Sequence, residues 1–171
     1  MFHTHTSLEK SNHSQPRVTA VLACKENLMA ASWHMPISKS PFRYAVAVRD
    51  ENYTHSLLKS HGAFSLNFLP FEHREIVDMT GRIHGNVKEK LSQSNLKVEG
   101  KDDTGNVLLS ASDFIYECKV CDTYRNGDHT VFIADVRKIH VNDMQSNSPL
   151  LFLGKGTYTT IQPPIRIVMS N

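Results

Sequence analysis

No stretch of this sequence approaches the roughly 18 consecutive apolar residues that suggest a membrane span, so no membrane partner is expected. An apolar leader is missing too: the first 17 residues are polar and rich in His and Ser. Cysteine is scarce, with three in 171 residues. An odd count without a leader fits reduced thiols in the cytoplasm better than a disulfide framework. Neither sign of charge dominates, since 19 Lys and Arg face 17 Asp and Glu. No basic run tracks a phosphate backbone, which removes nucleic acid from the expected partners.

The usual signatures of catalysis and nucleotide binding are also missing. There is no G-x-G-x-x-G and no Walker loop, and Gly154-Lys155-Gly156 reads only as a turn. A nucleotide would have to be held without a Rossmann or P-loop device. The ten histidines form no H-E-x-x-H group, and no G-x-S-x-G elbow marks a nucleophile. Cys118 and Cys121 have C-x-x-C spacing, yet in a strand residues three apart face opposite sides. No second pair completes a zinc set, so no metal site is predicted.

What remains is a chain that can build a core, with 40% hydrophobic residues in a length suited to one domain. Residues 1–15 are expected to form a flexible arm, 16–162 the folded domain, and 163–171 a tail. Alternating or continuous apolar runs predict strands at Arg17 to Cys24, Leu28 to Ser38, Phe42 to Arg49 and Ala63 to Leu69. Further strands are predicted at Leu108 to Cys121, at His129 to Val141 after a tight turn at Asp122 to Gly127, and near Tyr158 to Ile161. Helices are expected at His55 to His61, with Thr54 as N-cap and Gly62 as stop, at Glu72 to Met79, and at Val87 to Gln93. Gly81 to Asn86 is expected to be a loop. Strands outnumber helices and hairpins join the outer strands, which suits a closed antiparallel barrel better than a βαβ sheet.

One loop draws attention on chemistry alone. Arg49 ends a strand, and Asn52-Tyr53-Thr54-His55 opens a helix. Backbone N–H groups, a hydroxyl, an imidazole and a guanidinium converge there, as a phosphate requires. An ordinary capped helix start is the competing reading.

Several motifs in order then resemble a known family. Asn27-Leu28-Met29-Ala30-Ala31-Ser32-Trp33-His34-Met35-Pro36-Ile37-Ser38 is similar to N-x-M-x-x-x-W-x-x-P-x-S. Tyr53-Thr54-His55, Gly62-Ala63-Phe64, Asn67, Thr80-Gly81, His84-Gly85, Glu89-Lys90-Leu91 and Gly127-Asp128-His129 follow at matching intervals. The sequence resembles the flavin reductase-like, FMN-binding split-barrel family, especially its flavoredoxin-type members. That resemblance implies a mainly β, Greek-key antiparallel split barrel with two or three short inserted helices. It implies non-covalent FMN and a homodimer, with NAD(P)H as possible co-substrate. Electrons would pass to a free flavin, a ferric complex or another acceptor; the rival is an electron carrier serving a redox protein. By the same resemblance Asn27, Met29, Ala30, Ala31, Ser32 and Trp33 would line the flavin. Arg49, Asn52, Thr54 and His55 would hold its phosphate, and His84, Gly85 and Lys90 would approach the ring or phosphate end. His129 would flank the nicotinamide side.

Overall fold

The computed structural model describes residues 15–25, 27–83, 90, 96–146 and 148–161. The arm, residues 163–171, His84, Gly85 and most of the helix expected at Val87 to Gln93 lie outside them. The elements run in order β1 (Arg17–Val18), β2 (Ala20–Cys24), β3 (Asn27–Ala31), β4 (His34–Lys39), β5 (Phe42–Arg49) and α1 (Tyr53–His61). There follow β6 (Ala63–Phe68), a 3-10 turn (Phe71–His73), α2 (Arg74–Arg82), β7 (Val98–Lys101) and β8 (Val107–Leu109). The chain then makes β9 (Phe114–Asn126), β10 (His129–Val141), β11 (Leu151–Gly154) and β12 (Thr157–Thr159).

All pairings are antiparallel, and the main sheet has seven strands in the order β3-β2-β6-β9-β10-β5-β4. Among the described residues no ladder joins β3 to β4, so the wall is split at its two ends rather than closed. Strands β1, β11 and β12 form a second sheet, and β7 pairs with β8. This is the mainly β, antiparallel architecture that the motifs implied.

Several boundaries differ from expectation, each for a physical reason. Arg17 to Cys24 is not one alternating strand. It breaks at Thr19 into β1, which pairs with β11, and β2, whose five residues are all buried. A continuous apolar run is what a strand covered on both faces needs. Leu28 to Ser38 likewise breaks at Ser32-Trp33, so that β3 pairs with β2 while β4 pairs with β5. The run from Leu108 divides into β8 and β9, because Ser112 N–H turns back to the Leu109 carbonyl and Asp113 N–H bonds to the Phe68 carbonyl. The turn expected at Asp122 to Gly127 is strand through Asn126 and bends only at Gly127 and Asp128, Gly127 having φ 62°. Ladder bonds do not depend on side-chain polarity, so polar residues 122–126 pair as readily as apolar ones. Helix α2 runs on through Gly81 to Arg82, where a Cβ on Gly81 would come within 3.2 Å of Ala30 Cβ. Glycine there lets helix and strand touch.

Two cores result. Ala20, Leu22 and Cys24 of β2 face one, with Val46, Leu58, Phe64 and Phe132. Val21 and Ala23 face the other, with Leu28, Val77, Leu109 and Leu150. Asn67, fully buried, ties the second core to the sheet. Its amide donates to the Val21 carbonyl (3.2 Å) and Ser65 Oγ (2.9 Å), while its carbonyl oxygen accepts from Leu109 N–H (2.8 Å).

His34 sits between Tyr44, whose hydroxyl lies 2.9 Å from its Nδ1, and the edge of the Phe68 ring. Burial pushes its pKa down to about 4, with the Val18 backbone acting weakly the other way. An unfolded chain takes up this proton near pH 6.5 and the folded one does not. The stability held above pH 6.5 should therefore be lost as pH falls from 6.5 towards 4, by about 3 kcal/mol in all. Urea unfolding at a series of pH values checks this: His34→Gln should flatten that limb, and an unchanged slope would sink the assignment.

Candidate functional site

Strand β3 begins with a buried Asn27, whose amide donates to Thr54 Oγ1 at 2.6 Å. This bond ties β3 to the first turn of α1, and Leu58 anchors the same helix in the core. Gly62, with φ 67°, closes α1 by donating to the Leu58 carbonyl. The expected N-cap is displaced: the helix starts at Tyr53, with Asn52 in the cap position and no side-chain capping bond. Asn52 spends its amide on Met29 Sδ at 3.4 Å, and Thr54 serves Asn27. His55 N–H bonds to the Asn52 carbonyl, and no side chain caps the N–H groups of Tyr53 and Thr54 ahead of it.

These elements enclose a cleft of about 510 Å³, within the size usual for small-molecule sites. Residues 27–33 form its floor, and Arg49, Asn52, Tyr53 and Thr54 form one wall. Thr80, Gly81, Ile83 and Lys90 form the opposite wall, and His129 stands at the rim. The described lining holds two cations, Arg49 and Lys90, and no carboxylate, so its charge favours an anionic ligand. Lys90 is 3% exposed and donates to the Leu28 and Thr80 carbonyls, stitching β3 to α2. Burial lowers its pKa from the ordinary lysine value.

At the rim, the Trp33 indole and His129 imidazole stack, with centroids 4.6 Å apart and planes 25° apart. Asp128 Oδ1 lies 2.7 Å from His129 Nδ1, and this bond holds the Asp128 carboxyl below the usual carboxylate range. Arg49 reaches towards both Glu51 and Asp128 at 3.7 Å.

The structure gathers Asn27, Met29, Ala30, Ala31, Ser32, Trp33, Arg49, Asn52, Thr54, Lys90 and His129 around this one cleft. His55 is different. Its Nε2 lies 2.9 Å from Thr130 Oγ1 and 3.3 Å from Asp50 Oδ1, and its ring meets Phe132 edge-on. It braces the helix against β10 instead of lining the cleft, because residue 55 lies one position round the helix from Thr54. Tyr53, Thr80, Gly81 and Ile83 line the cleft without having been singled out for it. Thr80-Gly81 was the available signal, as part of the motif series. Cys118 is buried and Cys121 exposed. No helix among the described residues is long and apolar enough to cross a membrane.

Comparison with known proteins adds three kinds of finding. The chain is 28% identical over 140 residues to an uncharacterized protein of Aeropyrum pernix, a match covering 74% of this chain and 52% of that protein. The chain thus spans about half the length of that relative. Among solved structures, an FMN-binding protein from Thermus thermophilus with bound 1-cyclohex-2-enone superposes with a TM-score of 0.83 at 23% identity, over 98% of this chain and 99% of that one. Flavoredoxin of Desulfovibrio vulgaris gives 0.81 at 18% identity, over 98% of both chains. An NADH:FAD oxidoreductase of Streptomyces globisporus gives 0.81 at 16%, over 95% and 98%. At such identities these likenesses establish the fold. The family itself is established by sequence, because the model of the flavin reductase like domain matches residues 14–162. The chain therefore belongs to the flavin reductase-like family.

Proposed function

We propose that the cleft binds FMN non-covalently and that the protein relays electrons from NAD(P)H through it. The observation that carries this reading is the charge and shape of one cleft. Cations and an uncapped helix start meet the small Ala30, Ala31 and Ser32 of the floor, beside an aromatic rim. What FMN supplies when bound is an acceptor for the hydride of NAD(P)H and a donor of its two electrons to a free flavin, a ferric complex or another acceptor. Arg49 and the N–H groups at the start of α1 bind the phosphate. Asn27, Met29, Ala30, Ala31 and Ser32 orient the ring along β3, and Lys90 sets a positive charge beside it. Trp33 and His129 bound the face where a nicotinamide would lie. No side chain need act as nucleophile.

One observation favours a second reading. The Trp33–His129 stack already occupies the rim, as suits an electron carrier that exchanges with a protein partner and admits no nicotinamide. An anaerobic visible spectrum separates the two. A yellow protein bleached by NADH or NADPH supports the enzyme; one bleached only by dithionite supports the carrier. A protein that stays colourless after incubation with FMN defeats both.

We also propose a homodimer whose second subunit completes the cleft. In support, β4 ends the main sheet and exposes Met35 (60%) and Ile37 (41%) close to Trp33. Such an apolar edge needs a cover. Light scattering should give twice 19.3 kDa, and dilution to the monomer should release flavin, since the two equilibria are linked. A monomer with undiminished flavin affinity would count against the arrangement.

A further inference from the structure

Another groove, of about 500 Å³, lies where β10 ends, bounded also by residues of β7, β8 and β9. Strand β10 is 13 residues long. At about 3.3 Å per residue it holds this groove roughly 40 Å from His129 and the flavin cleft. The described lining carries three carboxylates, Glu99, Asp113 and Asp143, and no lysine or arginine. We propose that the groove binds a small organic ammonium, a primary amine on an apolar stem. The inference goes beyond the function proposed above and does not rest on it.

Asp113 is only 9% exposed, and its described side-chain partners are both neutral: Ser146 N–H and Ser146 Oγ each donate to it at 3.1 Å. Two donors leave about half of a carboxylate's four acceptor positions open, and a buried carboxylate calls for a cation. Ser112, 4% exposed, lines the same groove, and its hydroxyl has no partner among the described residues. A buried hydroxyl left unpaired is costly, and a donor from a ligand would satisfy it. The backbone fixes the pair in place. Ser112 N–H donates to the Leu109 carbonyl, Asp113 N–H to the Phe68 carbonyl, and Asn142 N–H to the Asp113 carbonyl. The cations that β10 carries towards this end are engaged elsewhere. Arg137 pairs with Asp135 at 3.1 Å, Lys138 with Asp103 at 2.9 Å, and His140 with Glu117 at 2.7 Å.

The form of the cation follows from the rest of the lining. Among the described residues no three His, Cys, Asp or Glu side chains come together as metal ligands. An ammonium needs no such cage: its three N–H donors can be shared between a carboxylate and a hydroxyl. Beside these polar groups stand the buried Leu109 and Ile115 and the exposed Val141 (54%) and Met144 (89%). An alkyl stem laid across them would take apolar surface out of water. Exposed Glu99 and Asp143 attract cations to the groove without gripping them; the grip belongs to Asp113 and Ser112.

The test is calorimetric titration of the full chain with n-hexylamine at neutral pH and low salt. The wild type should bind it with a Kd of about 1 mM. The neutral n-hexanol, which has the same stem, should bind at least about tenfold more weakly. Ser112→Ala should weaken hexylamine about three- to tenfold without lowering the urea midpoint, because the hydroxyl it removes has no partner in the fold. Asp113→Asn should weaken hexylamine by about tenfold or more. If Asp113→Asn fails to fold, Ser112→Ala and the comparison with hexanol still decide. FMN affinity, read in parallel, should stay constant in both variants. Three results would each overturn the proposal. One is no saturable binding of hexylamine up to about 20 mM. Another is hexanol binding as tightly as hexylamine, which would reduce the groove to apolar surface. The third is a hexylamine affinity that Ser112→Ala leaves unchanged.

Discussion

Arg49→Ala is expected to lower FMN affinity by roughly ten- to a hundred-fold while leaving riboflavin affinity nearly unchanged. Arg49 ends β5 at the cleft wall, next to the uncapped start of α1. Its side chain is half exposed, and its contacts with Glu51 and Asp128, both at 3.7 Å, are too long for tight hydrogen bonds. Loose surface pairs of this kind are worth little, so the guanidinium can turn to a phosphate at small cost. A charge-assisted bond of that type contributes about 1.5 to 3 kcal/mol. Riboflavin has the same ring and lacks the phosphate, and so isolates the contribution. Fluorescence titration of the two ligands decides the matter: equal losses would place the phosphate elsewhere.

Asn67→Leu should reduce the free energy of unfolding by about 3 kcal/mol, although leucine has the same branched skeleton of heavy atoms as asparagine. The three bonds made by this side chain reach β2, β6 and β8. Ser65 keeps a second partner, the Val107 carbonyl at 2.6 Å, and loses least. Leu109 N–H and the Val21 carbonyl would lose their Asn67 bonds where no water can replace them, and each such loss costs about 1 to 3 kcal/mol. Urea denaturation with an unchanged m-value would show the loss cleanly. A difference below about 1 kcal/mol would mean that the surrounding backbone rearranges to recover the bonds.

The sequence was legible where local chemistry decides structure. The stop at Gly62, the run Phe42 to Arg49 and the positions of α1 and α2 all follow from residues and their neighbours. Boundaries set by distant partners were not. Thr54 has every attribute of an N-cap, yet Asn27, 27 residues away, claims its hydroxyl. Nothing near Thr19 announces that Leu150 will accept its N–H and so divide a run that looks continuous. The cleft was legible through spaced motifs, which marked β3 and the start of α1 together. His55 was misplaced because one of its partners, Thr130, is brought to it only when β10 pairs with β5. Ile83 could not be inferred, since its place in the lining depends on α2 running a full turn further than its pattern suggests.

Strand β2 has two interiors and no outside. Every residue from Ala20 to Cys24 is buried, alternately in one core and the other. In most sheets a strand has a tolerant side where sequence can drift, and here that side does not exist. A charge has nowhere to go at any of five consecutive positions, and added bulk on one face pushes against a layer braced from the other. Because β2 is also bonded along its length to β3, the floor of the cleft inherits this intolerance. A deep mutational scan would register β2 as an unbroken block of forbidden substitutions, with no period of two. A reader of such a scan, without the structure, would mistake that block for a catalytic motif.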